Sequence, residues 1–262
     1  MANILKLAVA SLGVVMVGAC GDYNSEPDDQ GPPLPKITAF TAVGDSTVIA
    51  AKLDQFRASL GGVLNLPTVG PSATGRREIN WDGVPAALTN VDNFPASFFN
   101  VNSKRGVVFT TPGTGLRVDS TDFAALNAGL ASQFKFFSTK KTFTPVGSNV
   151  MEANFQIAGQ AVPGVVNGFG VIFSDVDRVG STVVEFFDVD GVRLARLEAP
   201  ARAAAHEFSF VGGSFATSVV ARVRITSGEA ALTATITDLS SGGVRDLVVM
   251  DDFIFGEPQP IQ

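Results

Sequence analysis

The sequence predicts a mainly β protein, an antiparallel β-sandwich of jelly-roll-like character with one N-terminal helix. Three observations carry that expectation. From residue 78 to residue 256, short stretches alternate polar and apolar side chains or run β-branched and aromatic, and Gly, Asn, Asp and Ser turns separate them. One early stretch has sustained helical spacing. Twenty-one phenylalanines against one tryptophan and one tyrosine suit the flat interior between two sheets.

The elements follow in chain order. From Ser46 the apolar residues Ile49, Leu53, Phe56 and Leu60 recur at three and four, with Asp45 or Ser46 to cap the helix and Gly61-Gly62 to stop it. Glu78-Ile79-Asn80-Trp81-Asp82 alternates, which predicts a strand with Ile79 and Trp81 in the core and Asp82-Gly83 at its end. RGVVFTT (105–111) and GFGVIFSDVD (168–177) read as strands. TVVEFFDVDGVRLARLEA (182–199) reads as a hairpin turning at Asp190-Gly191, because both residues tolerate positive φ. SVVARVRITSG (218–228) alternates Ala221, Val223 and Ile225 against Arg222, Arg224 and Thr226, and ALTATITDL (231–239) and DLVVMDDFIFG (246–256) complete the strands. TDFAALNAGLASQF, within 120–138, is a candidate second helix or a loop crossing. No fixed repeat is visible. Residues 37–262 are expected to form a single domain, with a division near 145 as the alternative.

Ahead of that domain, Lys6 precedes an apolar run from Leu7 to Val17 and then small residues, which is a secretory signal and too short for a membrane span. Val17-Gly18-Ala19-Cys20 resembles the lipobox of bacterial lipoproteins. The resemblance implies removal of residues 1–19 and lipidation of Cys20, and Gly21 at the next position points to the outer membrane where there is one. Residues 20–36, rich in Pro, Asp, Gly and Ser, read as a flexible tether. Cys20 is the sole cysteine, so disulfides within the chain and cysteine zinc sites are excluded. A net charge of −6 argues against a nucleic-acid partner.

No complete catalytic motif is legible. Gly44-Asp45-Ser46 resembles the nucleophile block of GDSL-type esterases, which pair the serine with a histidine in an Asp-x-x-His setting. The single histidine, His206, follows Arg202 and three alanines, so that setting is absent and helix capping is the simpler reading. Asp188-Val189-Asp190-Gly191 resembles the start of a calcium loop, but the residues after it are apolar or basic. Further carboxylates occur in pairs, among them Asp175 and Asp177. Glu78 and Asp82 in an early strand and Asp251 and Asp252 in the last are the candidate metal ligands, because jelly-roll carbohydrate-binding modules, which MDDFIFGEP resembles, tie an early carboxylate to an aspartate of the closing strand through structural Ca2+. The alternative is that these are solvated strand faces or partners of Arg76 and Arg77.

GRREINWDGVP (75–85) and VVMDDFIFGEP (248–258), with FPASFFNVNSKRGVVFTTPGTGLRV (94–118), FTPVGSNV (143–150) and GFGVIFSDVD, resemble the signature of a group of uncharacterised secreted bacterial β-sandwich proteins, over about residues 52–258. Some of those relatives carry a C-terminal sorting tail where this chain has a lipobox. The resemblance implies the fold and transfers no activity. The expectation is therefore a lipid-anchored cell-envelope module, binding or structural, with a glycan or other envelope component as candidate partner and an unlocated ligand site. The alternative is a GDSL-like esterase or other hydrolase using Ser46.

Overall fold

Two antiparallel sheets face each other in a computed structural model that describes residues 33–262. The expected signal segment 1–19, Cys20 and most of the expected tether lie outside the described residues. The strands in chain order are β1 (Thr38–Gly44), β2 (Arg76–Ile79), β3 (Val107–Thr110), β4 (Gly115–Asp119), β5 (Thr142–Val146), β6 (Val150–Phe155) and β7 (Gly164–Val165). They continue with β8 (Gly168–Ser174), β9 (Val183–Phe187), β10 (Arg193–Glu198), β11 (Phe208–Ser214), β12 (Arg222–Thr226), β13 (Val249–Gly256) and β14 (Gln259–Pro260). One sheet runs β1-β11-β8-β13-β5-β4, with β2 also on β13, and the other runs β10-β9-β12-β6-β3. Strands from both sides of residue 145 share both sheets, as in β2 with β13 and β3 with β6.

The core between the sheets is aromatic. Trp81 stacks on Phe143 with centroids 4.1 Å apart and meets Phe253 and Phe99 edge-on, while Phe155 bridges to Phe169 and Phe255 of the opposite sheet. In β12, Val223 and Ile225 point inward and Arg222 and Arg224 outward, as their alternation predicts. The hairpin at Asp190-Gly191 forms between β9 and β10, with Gly191 at φ 79° and Asp188 Oδ1 accepting from the Asp190 and Val192 amides.

The helix α1 (Ser46–Ser59) starts at Asp45, whose carboxylate accepts from Thr47 N and Val48 N. Its buried stripe of Ile49, Leu53 and Phe56 covers the outer face of the first sheet against Ile172, Phe210 and Ile254. That third layer explains why β8, β11 and β13 are buried on both faces and do not alternate. It also requires glycine beneath the helix: a Cβ on Gly170 would lie 2.7 Å from the Phe56 ring.

Two expectations change, and the open alternative for residues 120–138 is decided in favour of a loop crossing. β2 ends at Ile79, and Trp81 reaches the core from a left-handed turn at φ 61° instead of from a strand. Residues 120–138 form turns and one 3-10 turn at Ala128–Leu130, because Asp119 takes the Thr121 and Phe123 amides and positive φ at Asp122 and Phe123 breaks any helix. Residues 231–239 form no strand, and Leu232 and Ile236 instead pack with Leu130 and Leu247 in a small separate cluster.

The strand register defines two ends. Thr38, Gly168 and Ser214 pair at one, here called the near end, and Gly44, Ser174 and Phe208 at the other, the far end.

Candidate functional site

The pairing of β2 with β13 brings the early and closing signature blocks side by side, with Glu78 opposite Ile254. Of the four expected metal ligands, Glu78, Asp82 and Asp251 each have protein hydrogen-bond partners of their own. Glu78 accepts from Arg57 Nε at 2.8 Å and Arg76 Nε at 2.6 Å. Burial alone would push Glu78 up, but those guanidinium bonds hold its carboxyl below the usual range. Asp82 accepts from the Lys140 amide at 3.0 Å and the Thr139 hydroxyl at 3.1 Å. Asp251, fully buried, accepts from Phe137 N at 2.7 Å and from the Ser138 hydroxyl at 2.8 Å. Asp252 lies beside it with Oδ1 buried and accepting no hydrogen bond. Burial, and then the Asp252 charge, push Asp251 well above the usual carboxylate range, and burial pushes Asp252 up to about 6. The pair holds a proton more readily than it holds two negative charges. Trp81 Nε1 donates to the Asp251 carbonyl at 2.7 Å, which accounts for the polar edge of a buried indole.

The carboxylates that do converge lie at the far end. One oxygen each from Asp175, Asp177 and Asp238 falls within 4.8 Å of the others, with Asp175 and Asp238 buried and Asp177 half-buried. Ligands at about 2.4 Å on opposite sides of a Ca2+ ion are about 4.8 Å apart, so this trio can hold a metal ion. Asp175 Oδ1 and Asp177 Oδ2 are buried and accept no well-directed hydrogen bond, which fits such a role. A rival cation is already in place, for Arg202 Nη1 lies 2.5 Å from Asp175 Oδ1 and its Nε 2.6 Å from Asp177 Oδ1. Gln133 Nε2 donates to Asp175 at 3.0 Å and to Asp238 at 3.1 Å. Burial pushes Asp175 up to about 7 despite Gln133 and Arg202. Asp175 and Asp177 are visible in the sequence at the end of β8; Asp238 joins them only through the irregular segment after β12.

A third arrangement crosses the outer face of the five-stranded sheet. Register places Arg196, Glu185, Arg224, Glu152 and Thr110 in one transverse row over β10, β9, β12, β6 and β3. Glu152 accepts from Arg224 Nε at 2.9 Å and Arg222 Nη1 at 2.5 Å, and Arg222 lies over the Phe187 ring at 4.0 Å. A groove of about 560 Å³ opens here, lined by Thr110, Thr111, Glu152, Glu185, Arg224 and Thr226 among others. The outward arginines were legible from alternation, but their carboxylate partners needed the strand register.

Ser46 is exposed at the first turn of α1, and no hydrogen bond joins it to His206, which is exposed in the connection before β11. Asp45 beside it serves as the helix cap. Among the described residues no helix is long and apolar enough to cross a membrane.

No family model matches the chain, and no curated protein matches it. Among solved structures it is similar to the enzymatically active domain of bacteriophage CBA120 tailspike protein 4, at 17% identity over 55% of this chain, with a TM-score of 0.15. The chain spans 21% of that chain's length. Overlap of that degree says nothing of fold or function.

Proposed function

We propose that this protein is a non-catalytic binding module, held at the cell envelope by a lipid on Cys20, that grips a hydroxyl-rich ligand such as an envelope glycan on the outer face of the five-stranded sheet. The observation that supports it is the groove over the Glu185–Arg224–Glu152 row. There, carboxylate, guanidinium and threonine hydroxyl groups sit side by side on rigid strands and can share hydrogen bonds with a polyol. The large hydrophobic side chains that are exposed among the described residues are all aliphatic, so recognition on this reading is by hydrogen bonds and not by stacking on an aromatic platform. The test is a glycan array followed by titration of the best hit. Binding should fall at least tenfold in Arg224→Ala and in Glu152→Ala while the melting temperature stays near that of the parent. Binding that ignores both substitutions, or an array without hits, removes the reading.

The same reading includes a structural Ca2+ held by Asp175, Asp177 and Asp238, in competition with Arg202. A ligand at 100 times its Kd adds about 2.7 kcal/mol to stability, so Ca2+ added after EDTA should raise the melting temperature by several degrees. Asp177→Asn with Asp238→Asn should abolish that rise. A melt that EDTA and Ca2+ leave unmoved assigns the three carboxylates to Arg202 alone.

A further inference from the structure

We infer that the near end of the sandwich is a second membrane contact, where the connection between α1 and β2 rests its apolar side chains on the lipid surface. The inference deepens the lipid-anchored reading and rests on it. Its basis is the distribution of charge and apolar exposure in the connections that close this end.

Residues 58–75, 156–167, 213–221 and 258–262 contain no charged side chain, in a chain that is 17% charged with a net charge of −6. Topology brings them together. Gly70 N donates to the Ala158 carbonyl, Gln259 Nε2 to the Ser72 carbonyl, Val166 N to the Val220 carbonyl and Phe215 N to the Asn167 carbonyl. On this surface Val63, Leu64, Leu66 and Val69 are between 53% and 74% exposed, a degree of apolar exposure within seven residues that a freely solvated loop does not need. Val162 and Ile261, also exposed, lie on the connections beside them.

The loop is not loose. Arg77 and Glu257 are both buried and paired through two bonds, at 2.5 and 2.6 Å. Arg77 also donates to the Leu66 and Lys104 carbonyls, and Glu257 accepts from Asn65 Nδ2 and Ser72 N. The ion pair therefore presents Val63 to Val69 outward from a fixed base.

The occupant follows from where the chain enters. β1 begins at Thr38 at this same end, and Ile37 touches Gly213 here. The 14 residues from Gly21 to Leu34 reach no further than about 50 Å from a lipidated Cys20, so the anchor keeps the near end within reach of the bilayer. Shallow insertion of aliphatic side chains among headgroups suits an uncharged surface, and Lys104, packed beside Gly159, adds attraction to anionic lipid. The acids Asp188 and Asp190 are also at this end, but on the β10 edge of the five-stranded sheet, whereas the loop lies toward β3.

The experiment places a polarity-sensitive fluorophore on Leu66→Cys, with Val63→Cys as duplicate, and on Val179→Cys at the far end as control. The full chain is reconstituted into vesicles of phosphatidylcholine and phosphatidylglycerol containing a fraction of spin-labelled lipid. The expected result is a blue-shifted emission at Leu66 and quenching at least threefold stronger than at Val179, with Leu64→Ser plus Val69→Ser bringing it down to the control. Equal, weak quenching at both ends in membrane-bound protein overturns the inference and leaves the anchor intact. A blue shift that grows with protein concentration without vesicles identifies a second copy of the chain as the occupant and also overturns it. Labelling of the parent chain at Cys20 reports a free thiol and removes the anchor reading. In that event Cys20→Ser protein carrying the Leu66 probe is mixed with the same vesicles, where quenching supports the lipid contact and its absence overturns it.

Discussion

The two ends of the sandwich are closed by different chemistry. At the near end the connections on the β3 side (58–75, 156–167, 213–221 and 258–262) carry no charge and hold one another by main-chain bonds, as in Asn65 N to the Arg76 carbonyl, with the buried Arg77–Glu257 pair beneath them. At the far end the connections wind irregularly, and carboxylates collect the free amides. Asp246 accepts from Asp177 N, Arg178 N and the Ser181 hydroxyl, Asp238 from Leu247 N and Ser240 N, and Glu229 from Asp246 N. Main-chain pairing between these connections leaves few amides for side chains, and Glu257 and, in the hairpin at the opposite edge, Asp188 take those that remain. Where that pairing is missing, buried carboxylates substitute, and they bring titration and cation affinity with them.

The largest expected effect lies at the near end. Arg77→Ala leaves the buried Glu257 side chain without its partner, which should cost about 3–5 kcal/mol and lower the melting temperature by roughly 6–20 degrees. Arg77→Met with Glu257→Gln should recover a large part of that loss. If the single substitution costs less than about 1 kcal/mol, the near end does not depend on this pair in the way described.

Next comes the acid pair in β13. A carboxyl raised from 3.8 to about 6 in the folded protein favours the folded state while protonated. Its contribution is full below pH 4, is lost as pH rises through about 6, and stays lost above that. Asp252→Asn should therefore raise the melting temperature by several degrees at pH 8, an effect on the order of 2 kcal/mol, and change little at pH 4. Melts at the two pH values check it, and a variant destabilised equally at both would contradict the shared-proton account.

The smallest effects concern surfaces. Trp81 is 1% exposed, so its fluorescence should be blue and poorly quenched by acrylamide, and a saturating glycan should leave it unchanged. Leu66→Ser should alter stability by less than about 0.5 kcal/mol, since an exposed side chain contributes little to the fold.

Much of this architecture is legible in the residues, for local reasons. Asp45 ahead of an apolar 3-4 spacing specifies α1, Asp190-Gly191 specifies a hairpin, and β12 shows its faces in alternating arginine and aliphatic residues. β8 was legible as a strand, but its burial on both faces depends on a helix more than a hundred positions earlier. Residues 231–239 mislead, and 120–138 stay undecided between helix and loop, because their apolar side chains fill a separate cluster instead of one face of a helix or strand. An association of the early and closing carboxylate blocks was readable only as a shared metal site, not as the pairing of β2 with β13. Which acids converge was not, because Asp238 meets Asp175 only through tertiary folding, and the groove row depends on register across five strands.

The account's central claim is that the outer face of the five-stranded sheet is the binding face. Amide hydrogen exchange on the full chain, with and without the best array glycan at saturation, tests it most directly. Added protection confined to β3, β6, β9 and β12 and the turn at Thr111–Pro112 is the predicted result. Protection at the far-end carboxylates or the near-end loop, with that face unchanged, would contradict it.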